Sequence, residues 1–414
     1  MTTTTEPATY EGDIRAEGIG AAFRDYVARV RGGDTGSLPA VLGFVVLFIF
    51  FAVMSDSFTS KGNLANLLNQ SAAYVFIAMG LVFVLLLGEI DLGAGYTAGT
   101  SAAMLGVVMT KQGYAWPIAV VACLVTGAVI GLTVGLIVSR LGIPSFVVTL
   151  AYFLGLQGVL LLVIGEGGTI PIRDETILAV NNNNLTPILG WVLFVLVVGG
   201  YAAATLSGVA RRKSAGLPAA STSVVGLKIA ALAVLLGGAT LLLNQERSVN
   251  PALNSLKGVP IIVPFTILFL VLLTFVLSRT SFGRHVYAVG GNAEAARLAG
   301  IDRRAVILRV FLIHGAFAGI ASVLFATQLS VIQSTVPPNL ELTIITASVV
   351  GGVSILGGTG TVIGSTLAAV LLAAIASSLV FLNVSPYWIR AVQGVLILAT
   401  VLADLWRRSR QALR

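Results

Sequence analysis

The stretch that decides the fold runs Ser71-Ala-Ala-Tyr-Val-Phe-Ile-Ala-Met-Gly80-Leu-Val-Phe-Val-Leu-Leu-Leu-Gly88-Glu89-Ile-Asp91-Leu-Gly93-Ala-Gly95. From Ser71 to Leu87 it holds no charged residue. A membrane-spanning helix needs about 20 mainly apolar residues, so this run reads as a span over 71–88. Two carboxylates and three glycines then break it before apolar sequence resumes near residue 95. Such a break exposes backbone groups, and membrane depth tolerates that only inside protein or along a watery cavity. Three roles stay open for Glu89 and Asp91: capping the half-helix that follows, lining a solute path, or carrying protons.

The rest of the chain agrees with a membrane setting. Of 414 residues, 57% are hydrophobic and only 10% charged, against about 25% charged in an ordinary soluble domain. So few charges cannot cover a water-facing surface, which excludes a soluble enzyme and a disordered chain. The single cysteine, Cys123, sits in an apolar run and excludes an internal disulfide. No Gly-Lys-Ser/Thr occurs, so there is no Walker A loop. His285 and His314 stand apart from any ligand cluster, and Gly358-x-Gly360 with Gly364 lacks dinucleotide-loop spacing.

Apolar runs predict twelve spans, at about 38–54, 71–88, 95–110, 116–138, 145–165, 185–206, 224–243, 259–278, 305–327, 340–356, 361–382 and 387–406. The stretch Gly357-Gly358-Thr359-Gly360 is a tight turn or part of a broken helix. The polar residues 1–37 read as a cytoplasmic tail before a signal-anchor span, not as a cleavable signal. Ile14–Val30 is either an amphipathic stretch or solvated tail. With the N-terminus inside, inside loops carry 17 Lys and Arg and outside loops 5. That bias places both termini in the cytoplasm, the basic tail 407–414 included, so the net charge of +8 orients the bundle and does not indicate nucleic acid. Small-xxx-small pairs (Gly95/Gly99, Gly127/Gly131/Gly135, Gly315/Gly319, Gly360/Gly364) predict close helix packing, within the bundle or across a dimer.

Two further features carry chemistry. Glu341 follows Pro337-Pro338 where another Gly-rich span begins, and is either an intramembrane carboxylate or a group facing outside water. The two breaks, 88–95 and 340–364, take comparable places in the two halves, as internal repeats of transporters do, with no residue-level match beside it. The basic loop 279–304 contains Gly290-Gly291-Asn292-Ala-Glu294-Ala295-Ala296-Arg297-Leu-Ala-Gly300. Asn292 is a good N-cap, Ala293–Leu298 is helical sequence and Gly300 fits a C′ stop. This surface helix docks a partner or merely connects two spans.

With these motifs in view, the chain resembles the sugar-type permeases of ABC importers, the ribose, galactose and xylose group. The likeness rests on Ser281–Ile301, on Gly88–Gly95, on Gly142-Ile-Pro-Ser-Phe-Val-Val-Thr-Leu150, and on Glu341–Gly364 with Val350-Gly-Gly-Val-Ser-Ile-Leu-Gly-Gly-Thr-Gly-Thr. These occur in order over about residues 58–406. Glu89 departs from the usual Gly of that pattern and Gly93 from the usual Ser. The pair of spans at 185–243 exceeds the usual ten, and the longer form looks most like the xylose-type permeases.

The resemblance implies an all-α polytopic protein with a type II ABC importer-like bundle: ten family-like spans plus two. It implies a subunit in a bacterial plasma membrane that imports a monosaccharide, a xylose-like pentose foremost, and holds no cofactor of its own. The implied partners are an ABC ATPase that binds ATP and magnesium, an extracytoplasmic sugar-binding protein, a second permease copy and membrane lipid. Gly290, Gly291, Asn292, Glu294, Ala295, Ala296 and Gly300 would form the coupling contact. Glu89, Asp91, Gly95 and Glu341 would line the path or cap half-helices. The main rival is an ion-coupled secondary transporter with Glu89 and Asp91 as proton relay. An intramembrane enzyme has no metal or nucleophile constellation behind it, and the intramembrane carboxylates argue against a purely structural protein.

Overall fold

The helix built on the apolar run from Ser71 starts in polar sequence, at Lys61. The computed structural model describes residues 38–381, apart from 56–57, 218, 249, 252–254 and 338, with scattered positions on either side. Helix α1 covers Leu38–Met54 and α2 covers Lys61–Leu86. Ser60 Oγ accepts from Asn63 N–H at 3.3 Å, and Asn63 Nδ2 donates to Phe58 O at 2.8 Å. These bonds satisfy the first turn locally, so α2 begins ahead of its apolar run.

Next come α3 (Ala94–Gly106), α4 (Trp116–Leu136) and α5 (Ser145–Ile164). A π-helical turn extends α3 at Val107–Lys111 and another extends α4 at Ile137–Leu141. A strand β1 (Thr169–Pro171) and helix α6 (Glu175–Asn182) precede α7 (Pro187–Ser214), α8 (Thr222–Leu243) and α9 (Ile262–Arg279). Two short helices, α10 (Ser281–Gly291) and α11 (Ala293–Leu298), lead into α12 (Arg303–Leu329). Strand β2 (Val331–Gln333), α13 (Leu340–Val350) and α14 (Val362–Phe381) follow.

Among the described residues, eight helices are long and apolar enough to cross a membrane: α2, α4 with its π turn, α5, α7, α8, α9, α12 and α14. Helices α1, α3 and α13 are apolar and shorter, at 17, 13 and 11 residues. The chain is an all-α polytopic membrane protein. Apart from isolated positions, the segment expected to span 387–406, the tails 1–37 and 407–414, and the stretch Ile14–Val30 lie outside the described residues.

Helix α2 occupies the centre, buried from Val75 to Leu86. Around it stand α12, α14, α13 and α9. Lipid is as apolar as leucine, so close packing, not escape from water, must hold these helices together. A glycine seam supplies it: a Cβ on Gly127 or Gly131 of α4 would collide with the carbonyls of Gly315 and Phe311 on α12. The other small-residue pairs also pack inside the subunit, Gly95 on Leu340 and Glu341, Gly99 on Val336, and Gly364 on Gly351. By contrast α7 and α8 form a peripheral hairpin whose side chains, such as Ile188, Val195 and Val234, face outward.

The two ends of the bundle differ. At one, β1 pairs antiparallel with β2, Ile170 opposite Ile332, a ribbon the sequence reading did not foresee. There Asn184 bridges Pro260, and Arg247 donates to Leu243 O, to Gly258 O at 3.0 Å and to Asn184 Oδ1 at 3.1 Å. The Asn-rich segment thus clamps the base of the α7–α8 hairpin. The opposite end carries Arg140, Arg279, Arg284, Arg303 and α10–α11.

Candidate functional site

The break after α2 is built residue by residue. Gly88 turns the chain with φ +76, in the left-handed region that glycine enters at least cost. Its N–H donates to Leu85 O at 2.9 Å, and Glu89 N–H to Val84 O at 3.2 Å. This Schellman closure satisfies the last carbonyls of α2 and sends the chain back into the bundle. Residues 89–92 then run without helix, and α3 begins at Ala94.

In an extended segment neighbouring residues face opposite ways. Here the even residues bond α5 through their backbone. Ile90 N–H donates to Ser145 Oγ at 3.0 Å, and Leu92 N–H to Thr149 Oγ1 at 3.1 Å; that hydroxyl lies 3.2 Å from Ile90 O. The odd residues send carboxylates to α12. Glu89 Oε1 meets Arg303 Nη2 at 3.3 Å, and Asp91 Oδ2 meets His314 Nε2 at 3.3 Å. Asp91 Oδ1 also accepts from Gly93 N–H at 2.7 Å. Asp91 therefore braces the entry to α3 from inside the loop, while the N-cap position itself is Gly93, without a side-chain cap.

Asp91 and His314 are both buried, and neither ring nitrogen of His314 has an in-line hydrogen bond among the described residues. Gly80 of α2 makes room for the imidazole: a Cβ there would lie 2.9 Å from His314 Nδ1 and 2.8 Å from Phe317 Cβ. Glu341 is buried in the first turn of α13, not turned to outside water. Its Oε2 lies 3.4 Å from where a Cβ on Gly95 would stand, so Gly95 seats that carboxylate beside the first turn of α3.

The second break meets α10. Gly357, Gly358 and Gly360 all have positive φ. Gly358 N–H donates to Leu86 O at 2.9 Å, and Tyr287 Oη to Gly360 O at 2.8 Å. Gly290 sits against Leu86 O and Gly358 N so closely that a Cβ would collide with both. The end of α2, the glycine loop 351–361 and α10 thus form one junction. Gly291 faces open space. Asn292 Oδ1 caps α11 by accepting from Glu294 N–H at 3.1 Å and Ala295 N–H at 2.9 Å. Ala296 packs inward, whereas Glu294, Ala295 and Leu298 are exposed. Gly300 ends the turn at φ +80. Glu294 pairs with Arg297 at 2.5 Å, and that hydrogen bond holds the Glu294 carboxyl below its usual range.

Sequence reasoning marked Glu89 and Asp91 and missed their partners. Arg303 was a loop charge and His314 an isolated residue; Ser145 and Thr149 lay inside a motif without a role. The signal was available in period two: an extended 88–93 puts 89 and 91 on one side, and a buried carboxylate needs a partner. Helix α10 was also missed. Its cap was legible, since Thr280 Oγ1 accepts from Gly283 N–H at 3.2 Å and the buried Val286 and Val289 sit at helical spacing.

The family model described as branched-chain amino acid transport system, permease component, matches residues 63–401. The xylose transport system permease protein XylH of Escherichia coli K12 is 32% identical over 368 residues, covering 88% of this chain and 90% of that protein. XylH of Haemophilus influenzae is 32% identical over 372 residues, covering 88% and 94%. The autoinducer 2 import system permease protein LsrC of Salmonella typhi is 30% identical over 365 residues, covering 88% and 84%. No solved structure matches.

Proposed function

We propose a transport role on the premise that this chain belongs to the permease-component family of branched-chain amino acid transport systems. It is the membrane-spanning subunit of an ATP-driven importer for a monosaccharide, a xylose-like pentose foremost, as the names of the relatives suggest. ATP and magnesium sit on a partner ABC ATPase, and an extracytoplasmic binding protein delivers the sugar. Two permease copies enclose the path. The basic end, with α10 and α11, faces the cytoplasm by the positive-inside rule.

One observation carries this reading. The end of α2, the glycine loop and α10 meet at Leu86, Gly358 and Gly290. A push on the α10–α11 surface therefore reaches both broken elements at once. ATP binding and hydrolysis on a partner would bias a two-state access equilibrium through that junction. The rival, an ion-coupled secondary transporter using Glu89 and Asp91, draws on the buried contact of Asp91 with His314.

The test is co-purification with the candidate ATPase and binding protein, then ATP hydrolysis across a sugar panel. The expected result is a stable complex whose hydrolysis rises with xylose. Uptake that needs no ATPase and collapses with a protonophore would favour the rival.

A further inference from the structure

Segment 88–93 is tied to α12 at two points by its carboxylates, Glu89 on Arg303 and Asp91 on His314, and the two ties differ in kind. The Glu89–Arg303 side chains are 13% and 54% exposed, whereas those of Asp91 and His314 are 9% and 2% exposed. Arg303 and His314 are eleven residues apart on one helix, about three turns, so they share a face about 16 Å in length. Glu89 and Asp91 are only about 7 Å apart in extended chain. The long arm of Arg303 spans the remainder. Arg303 is also the first residue of α12, directly after Asp302 and the α11 stop at Gly300. The chain that leaves the coupling surface therefore grips the break within its next three residues.

We propose that Arg303 and His314 are positioning residues that hold the 88–93 break through its two carboxylates. Arg303 is the releasable outer tie and His314 the fixed inner one. A shift of α11 pulls Arg303, loosens Glu89 and lets Ile90 leave Ser145 of α5, while Asp91 stays anchored on His314. This rests on the import function proposed above, and it assigns that function's mechanical link to named side chains.

The test uses the complete complex in nanodiscs, with xylose as probe and a Cys123→Ser background. Ile90→Cys reports release of the segment through its maleimide labelling rate. Sugar transported per ATP in proteoliposomes reports coupling. Glu89→Gln and Arg303→Gln should each raise labelling, and each should lower sugar per ATP by about three- to fivefold, the scale of an exposed pair. The double variant Glu89→Gln/Arg303→Gln should be no worse than either single variant. The swap Glu89→Arg/Arg303→Glu should restore both readouts, which a general loss of structure would not permit. High salt should raise wild-type labelling and leave Arg303→Gln unmoved. His314→Gln should raise labelling in low and high salt alike.

Unchanged labelling in Arg303→Gln, or a swap that fails to restore it, would overturn the proposal. A wild-type complex indifferent to every sugar would count against the proposed import function, and the labelling would then decide the tether by itself.

Discussion

The two breaks in this bundle are held by opposite means. Segment 88–93 is gripped by side chains: Glu89 and Asp91 on α12, and the Ser145 and Thr149 hydroxyls on α5. Loop 351–361 is held mainly by backbone, with Gly358 on Leu86 O and glycines packed on Gly290 and Gly351, and by one side chain, Tyr287 on Gly360 O. The first is a set of polar contacts that can exchange partners. The second is a fit of shapes, with almost nothing to exchange. One break is therefore suited to move and the other to transmit. They meet where Gly88 lies against Gly357, beside Leu86 at the end of α2, and there Leu86 and the glycine loop touch α10.

The sharpest way to break the contrast is to add carbon to the backbone-held side. Gly290→Val or Gly364→Val would drive a side chain into the carbonyl of Leu86 or Gly351. Overpacking of cores costs about 1–3 kcal/mol, and collision with backbone lies at the upper end or beyond. We expect loss of monodisperse protein on size-exclusion chromatography. The matching change on the outward-facing α7, Val195→Leu, should leave the profile unaltered.

Next in size is the inner tie. His314→Leu takes the imidazole away from the buried Asp91 carboxylate, and stranding a buried polar group costs up to about 3 kcal/mol. Thermal unfolding in detergent should fall accordingly, and Asp91→Asn/His314→Leu should recover part of the loss. Smaller still is the α5 side. Ser145→Ala or Thr149→Val strips a partner from the N–H of Ile90 or Leu92, at about 1–2 kcal/mol each. The pair should be close to additive in the same unfolding measurement if each hydroxyl serves its own N–H.

The smallest effect lies far from both breaks, at a carboxylate that gathers a loop and pairs with Lys257 at 3.6 Å. Glu246 accepts from Arg247, Ser248 and Leu256 N–H and from Ser255 Oγ, which pulls its carboxyl down to about 2. Its folded value lies below the ordinary one near 4.5, so its stabilising share is present above that pH and fades as pH falls from about 4.5 towards 2. Limited proteolysis within 246–258 should quicken over that window in the wild type and lose this pH dependence in Glu246→Gln.

How much of this was legible beforehand follows from what sequence encodes locally. The break at 88–95 announced itself because charge and glycine inside an apolar run have no other reading. Helix α11 was legible from its cap, its composition and its stop at Gly300. The start of α2 was not, since Asn63 and Ser60 satisfy each other's neighbourhood through contacts that hydropathy ignores. The ribbon of Thr169–Pro171 with Val331–Gln333 joins residues about 160 apart, and three-residue strands carry no periodicity. The partners of Glu89 and Asp91 were hidden for the same reason: Arg303 and His314 are distant in sequence, and only the fold brings them near. The glycine pairs pointed to close packing, and the fold chose α4 on α12 inside one subunit over a contact between copies for Gly127, Gly131, Gly315 and Gly319.

In the proposed importer, the exposed face of α11 receives the push that both breaks convert into access. ATP-driven uptake of labelled xylose in proteoliposomes, wild type against Glu294→Lys at equal inserted amounts, tests it most directly. Wild-type uptake should require ATP and the ATPase partner, and Glu294→Lys should lose it while remaining inserted. Equal uptake by Glu294→Lys, or wild-type uptake that persists without the ATPase, would contradict the account.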